Sequence, residues 1–194
     1  MLGLIFRKRL FHILGLVVVL IVSCNDASYE LDNEFDPENL GLEPPTIFFH
    51  FPSGKVNSDG IAEINSKVTD IDTVELYAYG IDSVAGAHLQ IEFDAEVIGI
   101  ETIEPGGFFK NGDNSPLVFI TDEEDGYLNI YLFFKPSPTN VSASGTSSMA
   151  TVTFTSNDEG STPIRYTEQT IFKDVNNIEI ILNTKGEGSI NATQ

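Results

Sequence analysis

Tryptophan is absent, cysteine occurs once and methionine twice among 194 residues, and Lys plus Arg number 10 against 29 Asp plus Glu. Each shortage excludes something. With one cysteine there is no intramolecular disulfide, so a folded domain must be held by its core alone. The deficit of cations argues against nucleic acid and against electrostatic adhesion to anionic lipid, both of which depend on Lys and Arg. No phosphate-binding loop, nucleophile elbow or zinc motif is present, so no motif points to an enzyme or a cofactor. Paired carboxylates for glycoside hydrolysis are not decided by sequence, because acids are abundant and their spacing in three dimensions is not written in it. What is plentiful is large apolar bulk: 14 Phe and 6 Tyr, enough for one core.

The single cysteine follows the single long apolar run. Arg7, Lys8 and Arg9 form a basic cluster, Leu10 to Val22 is apolar apart from His12, and small residues close the segment. This is the three-part pattern of a secretory signal, and it is short for a transmembrane helix, which needs roughly 20 apolar residues. A catalytic thiol would want a histidine from the folded part, and nothing ties His50 or His88 to Cys24. Ile21, Val22, Ser23 and Cys24 resemble the lipobox of bacterial lipoproteins. That resemblance implies cleavage before Cys24 and acylation of it, with two or more acyl chains holding the protein firmly to a membrane. Residues 1–23 are then a signal peptide, and the expected location is the cell envelope, lipid-anchored to a bacterial membrane, with the outer membrane favoured.

Residues 24–45 carry Asp26, Glu30, Asp32, Glu34, Asp36, Glu38 and Glu43, no basic residue and three prolines. Such a stretch cannot bury enough apolar surface to fold alone and is expected to be a disordered acidic tether. Acidic residues behind a lipidated cysteine also resemble the surface-export signals of some Gram-negative lipoproteins, which leaves a plain spacer and a display signal both open.

From Thr46 to Gln194 the pattern is β. Val74, Leu76 and Ala78 alternate with Glu75, Tyr77 and Tyr79; Ala87, Leu89, Ile91 and Phe93 alternate with His88, Gln90 and Glu92. Leu128, Ile130, Leu132 and Phe134 alternate with Tyr127, Asn129, Tyr131 and Phe133. Period two sends one set to a core and the other outward. Further short strands follow from "VIGIETI", "LVFIT", "MATVTF", "TIFK" and "IEIIL", separated by "EPGG", "KNGDNSP", "DEEDG" and "SNDEGSTP", where Gly, Pro, Asn and Asp permit turns. The prediction is an all-β fold, an antiparallel jelly-roll β-sandwich of about eight or nine strands spanning residues 46–194.

The order of these segments resembles a cohesin domain. Phe93 and Asp94 precede the aliphatic strand and the Glu104, Pro105, Gly106 turn; Met149 to Val152 with Phe154 match a later strand; Phe172, Lys173 and Asp174 match a late turn. The match runs roughly from Ile64 to Asn191. Ala95 stands where the family usually has a proline, which is expected to loosen that turn without changing the fold. The resemblance implies a non-catalytic module that docks a dockerin-type protein partner in polysaccharide-degrading or surface assembly, using one sheet face. Residue by residue it nominates His88, Gln90 and Glu92 on one strand and Asn129, Tyr131 and Phe133 on another. Related sandwiches hold polysaccharide instead, which calls for a planar row of aromatics, here Tyr131 and Phe133 joined by Tyr77 and Tyr79. Tyr131 and Phe133 also have a structural reading, as cross-strand pairs worth about 0.2–1 kcal/mol each.

Two loops invite a metal reading and weaken under it. In Lys55 to Ser66, Asn57, Asp59 and Gly60 resemble a calcium loop, but Lys55 and Ser66 occupy the places of the first and last acidic ligands. Thr121 to Gly126 reads as a solvated hairpin turn. No metal site is expected. The sequons at Asn140 and Asn191 carry little weight in a bacterial lipoprotein.

Overall fold

The structure, a computed structural model, describes residues 35–37, 39–109, 118–135 and 141–194, within a compact unit spanning Glu34–Gln194. The signal segment, Cys24, most of the acidic stretch behind it, the "KNGDNSP" turn and the Asn140 sequon lie outside the described residues.

Every described element is a strand. In chain order they are β1 (Thr46–His50), β2 (Lys55–Val56), β3 (Ala62–Lys67), β4 (Ile71–Glu92), β5 (Ile98–Pro105), β6 (Val118–Glu124) and β7 (Tyr127–Phe133). Then follow β8 (Ala143–Ser156), β9 (Gly160–Tyr166), β10 (Ile171–Asp174), β11 (Glu179–Ile180), β12 (Thr184–Lys185) and β13 (Glu187–Thr193).

The two alternating segments expected as separate strands, around Val74 and around Leu89, are one strand of 22 residues, β4. It serves both layers. Residues 71–84 pair with β8 on one edge, and residues 75–79 pair with β1 on the other. Residues 86–92 pair with β7 on one edge, and with β10 and then β9 on the other. The handover is built from irregularities: register shifts between Ala78 and Val84, and positive φ at Gly80 (58°) and Ser83 (61°). A bulge of this kind frees backbone donors from the ladder. Hydroxyls of β8 take them up, Thr146 Oγ1 accepting from Gly80 N at 3.1 Å and Ser144 Oγ from Ser83 N at 2.8 Å.

One layer therefore runs β5-β8-β4-β1-β12, and the other runs β6-β7-β4 and continues through β10 and β11 and through β9, β13, β3 and β2. The inward residues of both meet in one interior. Phe49, Val74, Leu76, Val152 and Phe154 from the first layer and Ile91, Leu128, Ile164 and Ile190 from the second line the same apolar space. Phe49 stacks on Tyr166 across it, ring centroids 4.4 Å apart. Burial follows the alternation read from the sequence on β4 and β7: Val74, Leu76, Ala78, Leu89, Ile91, Leu128, Ile130 and Leu132 are all buried.

Four expectations need correction. The sandwich is not wholly antiparallel: β13 runs parallel to β3 and β1 parallel to β12, pairings between segments far apart in sequence that no local pattern reveals. The described ladder elements number 13, not eight or nine: two expected strands merge in β4, while β1, β2, β3, β9, β12 and β13 fall outside the expected segments, β2 and β12 being two-residue pieces too short to show a period. Glu104 and Pro105 end β5 rather than sitting in a turn, and the bend falls at Gly107, after Gly106 passes so close to Ser148 that an added Cβ would lie 2.2 Å from its carbonyl oxygen. Finally, the tether does not run free to Pro45. Phe35 is buried, its ring edge-on to His50 at 4.9 Å, and Asn183 holds the prolines, its Nδ2 donating to Pro44 O at 2.7 Å and its N–H to Pro45 O at 2.8 Å. One aromatic with a ready-made seat outweighs the polarity of its neighbours.

The turn at Asp94 closes without a proline. Its carbonyl accepts from Val97 N and Ile98 N at 3.1 Å each, and its carboxylate accepts from Glu96 N at 2.9 Å, so Ala95 does not loosen it.

Candidate functional site

The outward side chains of β4 after its bulge and of β7 form one face. The register sets His88 opposite Tyr131, Gln90 opposite Asn129, Glu92 opposite Tyr127 and Gly86 opposite Phe133. Directly opposed residues of an antiparallel pair share a face, so the six residues nominated from sequence, His88, Gln90, Glu92, Asn129, Tyr131 and Phe133, are brought together.

The polar members are held in place. Asn129 Oδ1 lies 3.0 Å from His88 Nε2 and accepts from Gln90 Nε2 at 3.0 Å. Gln90 Oε1 accepts from Thr167 Oγ1 at 2.7 Å, and the Gln90 N–H donates to Thr170 Oγ1 at 2.9 Å. The His88 ring stacks flat on Tyr131, 4.4 Å between centroids and 6° between planes. Tyr131 does make the cross-strand contact open to it, yet it stays 37% exposed, beside Phe133 at 38% and Tyr127 at 39%. Fixed rotamers on a rigid sheet spare a partner the entropy of ordering them.

Sequence reasoning overlooked several neighbours. Val118, Ile120, Asp122 and Glu124 of β6 lie opposite Phe133, Tyr131, Asn129 and Tyr127. Ile120, 50% exposed, thereby extends the aromatic row. Ile171 and Lys173 of β10 lie opposite His88 and Gly86. Over Gly86 the face is notched: a Cβ there would sit 3.0 Å from that of Phe133. A groove of about 580 Å³ opens at this point between Phe133, His88, Ile171, Lys173 and Val175. The only signal for it in the sequence is a glycine inside a strand.

Tyr77 and Tyr79 do not join the row. They lie on β4 before its bulge, in the other layer, where Tyr77 packs against Phe48 at 5.4 Å and against His50 at 5.6 Å. Partial burial, and the nearby Glu75 carboxylate after it, raise the Tyr77 phenol above its usual pKa.

The loop that resembles a calcium site is a hairpin between β2 and β3, with Asn57 Oδ1 accepting from Asp59 N at 2.9 Å and Ile61 N at 3.0 Å. Lys55 pairs with Glu63 at 3.1 Å, and Ser66 is buried, donating to Asp72 at 2.6 Å. In the β6–β7 hairpin, Asp125 (φ 45°) and Gly126 (φ 83°) form a two-residue turn with both φ positive. Asp174 closes the β10–β11 turn, its Oδ1 accepting from Ile178 N and Asn176 N at 2.8 Å each; these bonds, the one from Ile178 foremost, hold its carboxyl below the usual range.

The family model described as the cohesin domain matches residues 55–192. No curated protein gives a significant sequence match. Among solved structures, the chain is similar to a non-cellulosomal cohesin from the archaeon Archaeoglobus fulgidus, with 13% identity, TM-score 0.57 and coverage of 77% of this chain and 92% of that one. It is similar to a cohesin from Clostridium acetobutylicum, with 19% identity, TM-score 0.57 and coverage of 76% and 91%. A chain of a type I cohesin–dockerin complex from Clostridium thermocellum matches with 15% identity, TM-score 0.56 and coverage of 76% and 99%.

Proposed function

The chain belongs to the cohesin domain family, and from that premise we propose that it docks a dockerin-type protein partner through the outer face of β4 and β7, without catalysis. One observation carries the assignment of the face: three exposed aromatics of β7 stand beside a hydrogen-bonded His88, Asn129 and Gln90 set on a rigid sheet. Aromatic anchors supply most of the energy in such contacts and fixed polar neighbours set register. Likeness to the cohesin of a cohesin–dockerin complex supports the same reading. The setting we propose is a bacterial cell envelope, with acyl chains on Cys24 as the anchor, the acidic residues before Phe35 as the stalk, and polysaccharide-degrading or surface assembly as the context.

Replacing Tyr131 and Phe133 together with Ser is expected to abolish binding of dockerin modules encoded by the same organism, measured by isothermal titration, with the melting curve little changed. Unaltered affinity would sink the assignment of the face. For the anchor, Cys24→Ser is expected to end metabolic palmitate labelling; persistent labelling would overturn it.

A second reading has an observation of its own. Tyr127, Tyr131 and Phe133 form a row of partly exposed rings along one strand, the arrangement a polysaccharide chain needs. Binding on a glycan array, lost in the same double variant, would favour it over a protein partner.

A further inference from the structure

The outer face of β6, β7 and β4 is graded along its strands. At one end lie Phe133, Tyr131 and Ile120 and the groove above Gly86, whose walls are largely apolar or aromatic and whose polar lining is Lys135, Lys173, Asp174 and Asn177, with Lys173 3.8 Å from Glu179. At the other end, the register sets Glu92 opposite Tyr127 and Tyr127 opposite Glu124, with Asp122 opposite Asn129. Glu92, Asp122 and Glu124 are exposed, and none makes an ion pair among the described residues. Arg165, opposite Glu92 in the β4–β9 ladder, is engaged by Glu187 at 3.2 Å. Phe133 and Tyr127 are separated by six residues of strand, roughly 20 Å at the usual rise of about 3.3 Å per residue.

Covering three unpaired carboxylates with a neutral surface would strip their water and return nothing, because the loss of hydration is repaid only by an opposite charge or by hydrogen-bond donors. A partner seated along the whole face must therefore bring cations to that end and apolar side chains to the other. Resting on the docking reading above, we infer that the partner is a protein module whose docking surface carries an apolar anchor and, roughly 20 Å from it, a Lys/Arg cluster. The gradient fixes the direction in which the module lies: anchor over Gly86 and Phe133, basic cluster over Asp122, Glu124 and Glu92. It also makes association electrostatically steered.

The test uses the dockerin modules encoded by the same organism as probes, with kon and Kd read by surface plasmon resonance at about 50 and 500 mM NaCl. For the wild type, kon is expected to fall about tenfold or more with salt. Asp122→Lys with Glu124→Lys, both on the exposed β6, is expected to lower kon by a similar factor at low salt and to flatten the salt response, with an unchanged circular-dichroism melt. If Tyr131→Ser with Phe133→Ser abolishes binding while salt and the two lysines do nothing, the docking face stands and the charge inference is overturned. If neither pair of substitutions matters, or no module binds, both fall. A bound module with a neutral or acidic docking surface overturns the inference alone.

Discussion

Tyr166 shows how much a single position carries. Its ring is buried against Phe49, its hydroxyl donates to Phe48 O at 3.4 Å, and burial drives its phenol well above the ordinary tyrosine pKa. The folded state therefore binds this proton more tightly than the unfolded chain does. The resulting stability is fully present below pH 10, and it is lost as pH rises from there towards the folded pKa. Urea unfolding between pH 9 and pH 11 is expected to show stability falling by up to about 1.4 kcal/mol per pH unit from this one proton, a slope that Tyr166→Phe removes. Equal slopes in the two proteins would mean that the burial is illusory. At the binding face the same scale gives a different lesson: the alternation identified Tyr131 and Phe133 as outward, but the stacking of His88 on Tyr131 came from a strand about forty residues away.

Among elements, β4 decides the architecture. A strand that belongs to two layers must bend, and this one bends at Gly80 and Ser83, where φ is positive. Gly80 also meets the arm, residues 35–45 leading into β1, since a Cβ there would lie 2.4 Å from that of Pro44. Gly80→Ala is thus expected to cost about 2 kcal/mol or more, the left-handed penalty of about 1–2 kcal/mol plus the collision. Gly60→Ala, with φ 77° and nothing within 4 Å of the added Cβ, should cost only the conformational part. Equal losses in denaturant midpoint would show that the arm does not press on the bulge. The sequence contained Gly80, and the expected boundary after "DTVELYAYG" fell there for good reason, because a glycine between two alternating runs reads as a turn. That the chain continues as a bulged strand depends on Thr146 and Ser144, which accept the freed N–H groups.

For the molecule as a whole, the question is where the domain begins. Phe35 packs on His50, which is itself 2.8 Å from Glu75, and the prolines are tied to Asn183, so residues 35–45 belong to the fold. A chain starting at Thr46 is expected to lose about 2 kcal/mol against one starting at Glu34, chiefly the burial of one phenylalanine, and to melt about 4–8 °C lower. Phe35→Ala in the longer chain should reproduce most of that loss. Matching melting temperatures for the long and short chains would return the arm to the tether.

The amino-acid sequence by itself determined which residues face inward, because alternation along a strand is a local property: Leu89, Ile91, Leu128 and Ile130 are buried as the period requires. It also determined the absence of disulfide support within the chain and its net acidity. Only the tertiary structure decided register, and register is what makes a site. Setting Tyr131 over His88, Ile120 beside Tyr131 and three carboxylates at one end of the face requires β6, β7 and β4 to pair at one offset, and a slip of one residue would turn every one of those side chains to the other face. The parallel closure of β13 on β3 and the docking of Phe35 have the same origin. They are contacts between distant segments, fixed by the shape of the finished core rather than by any stretch of sequence.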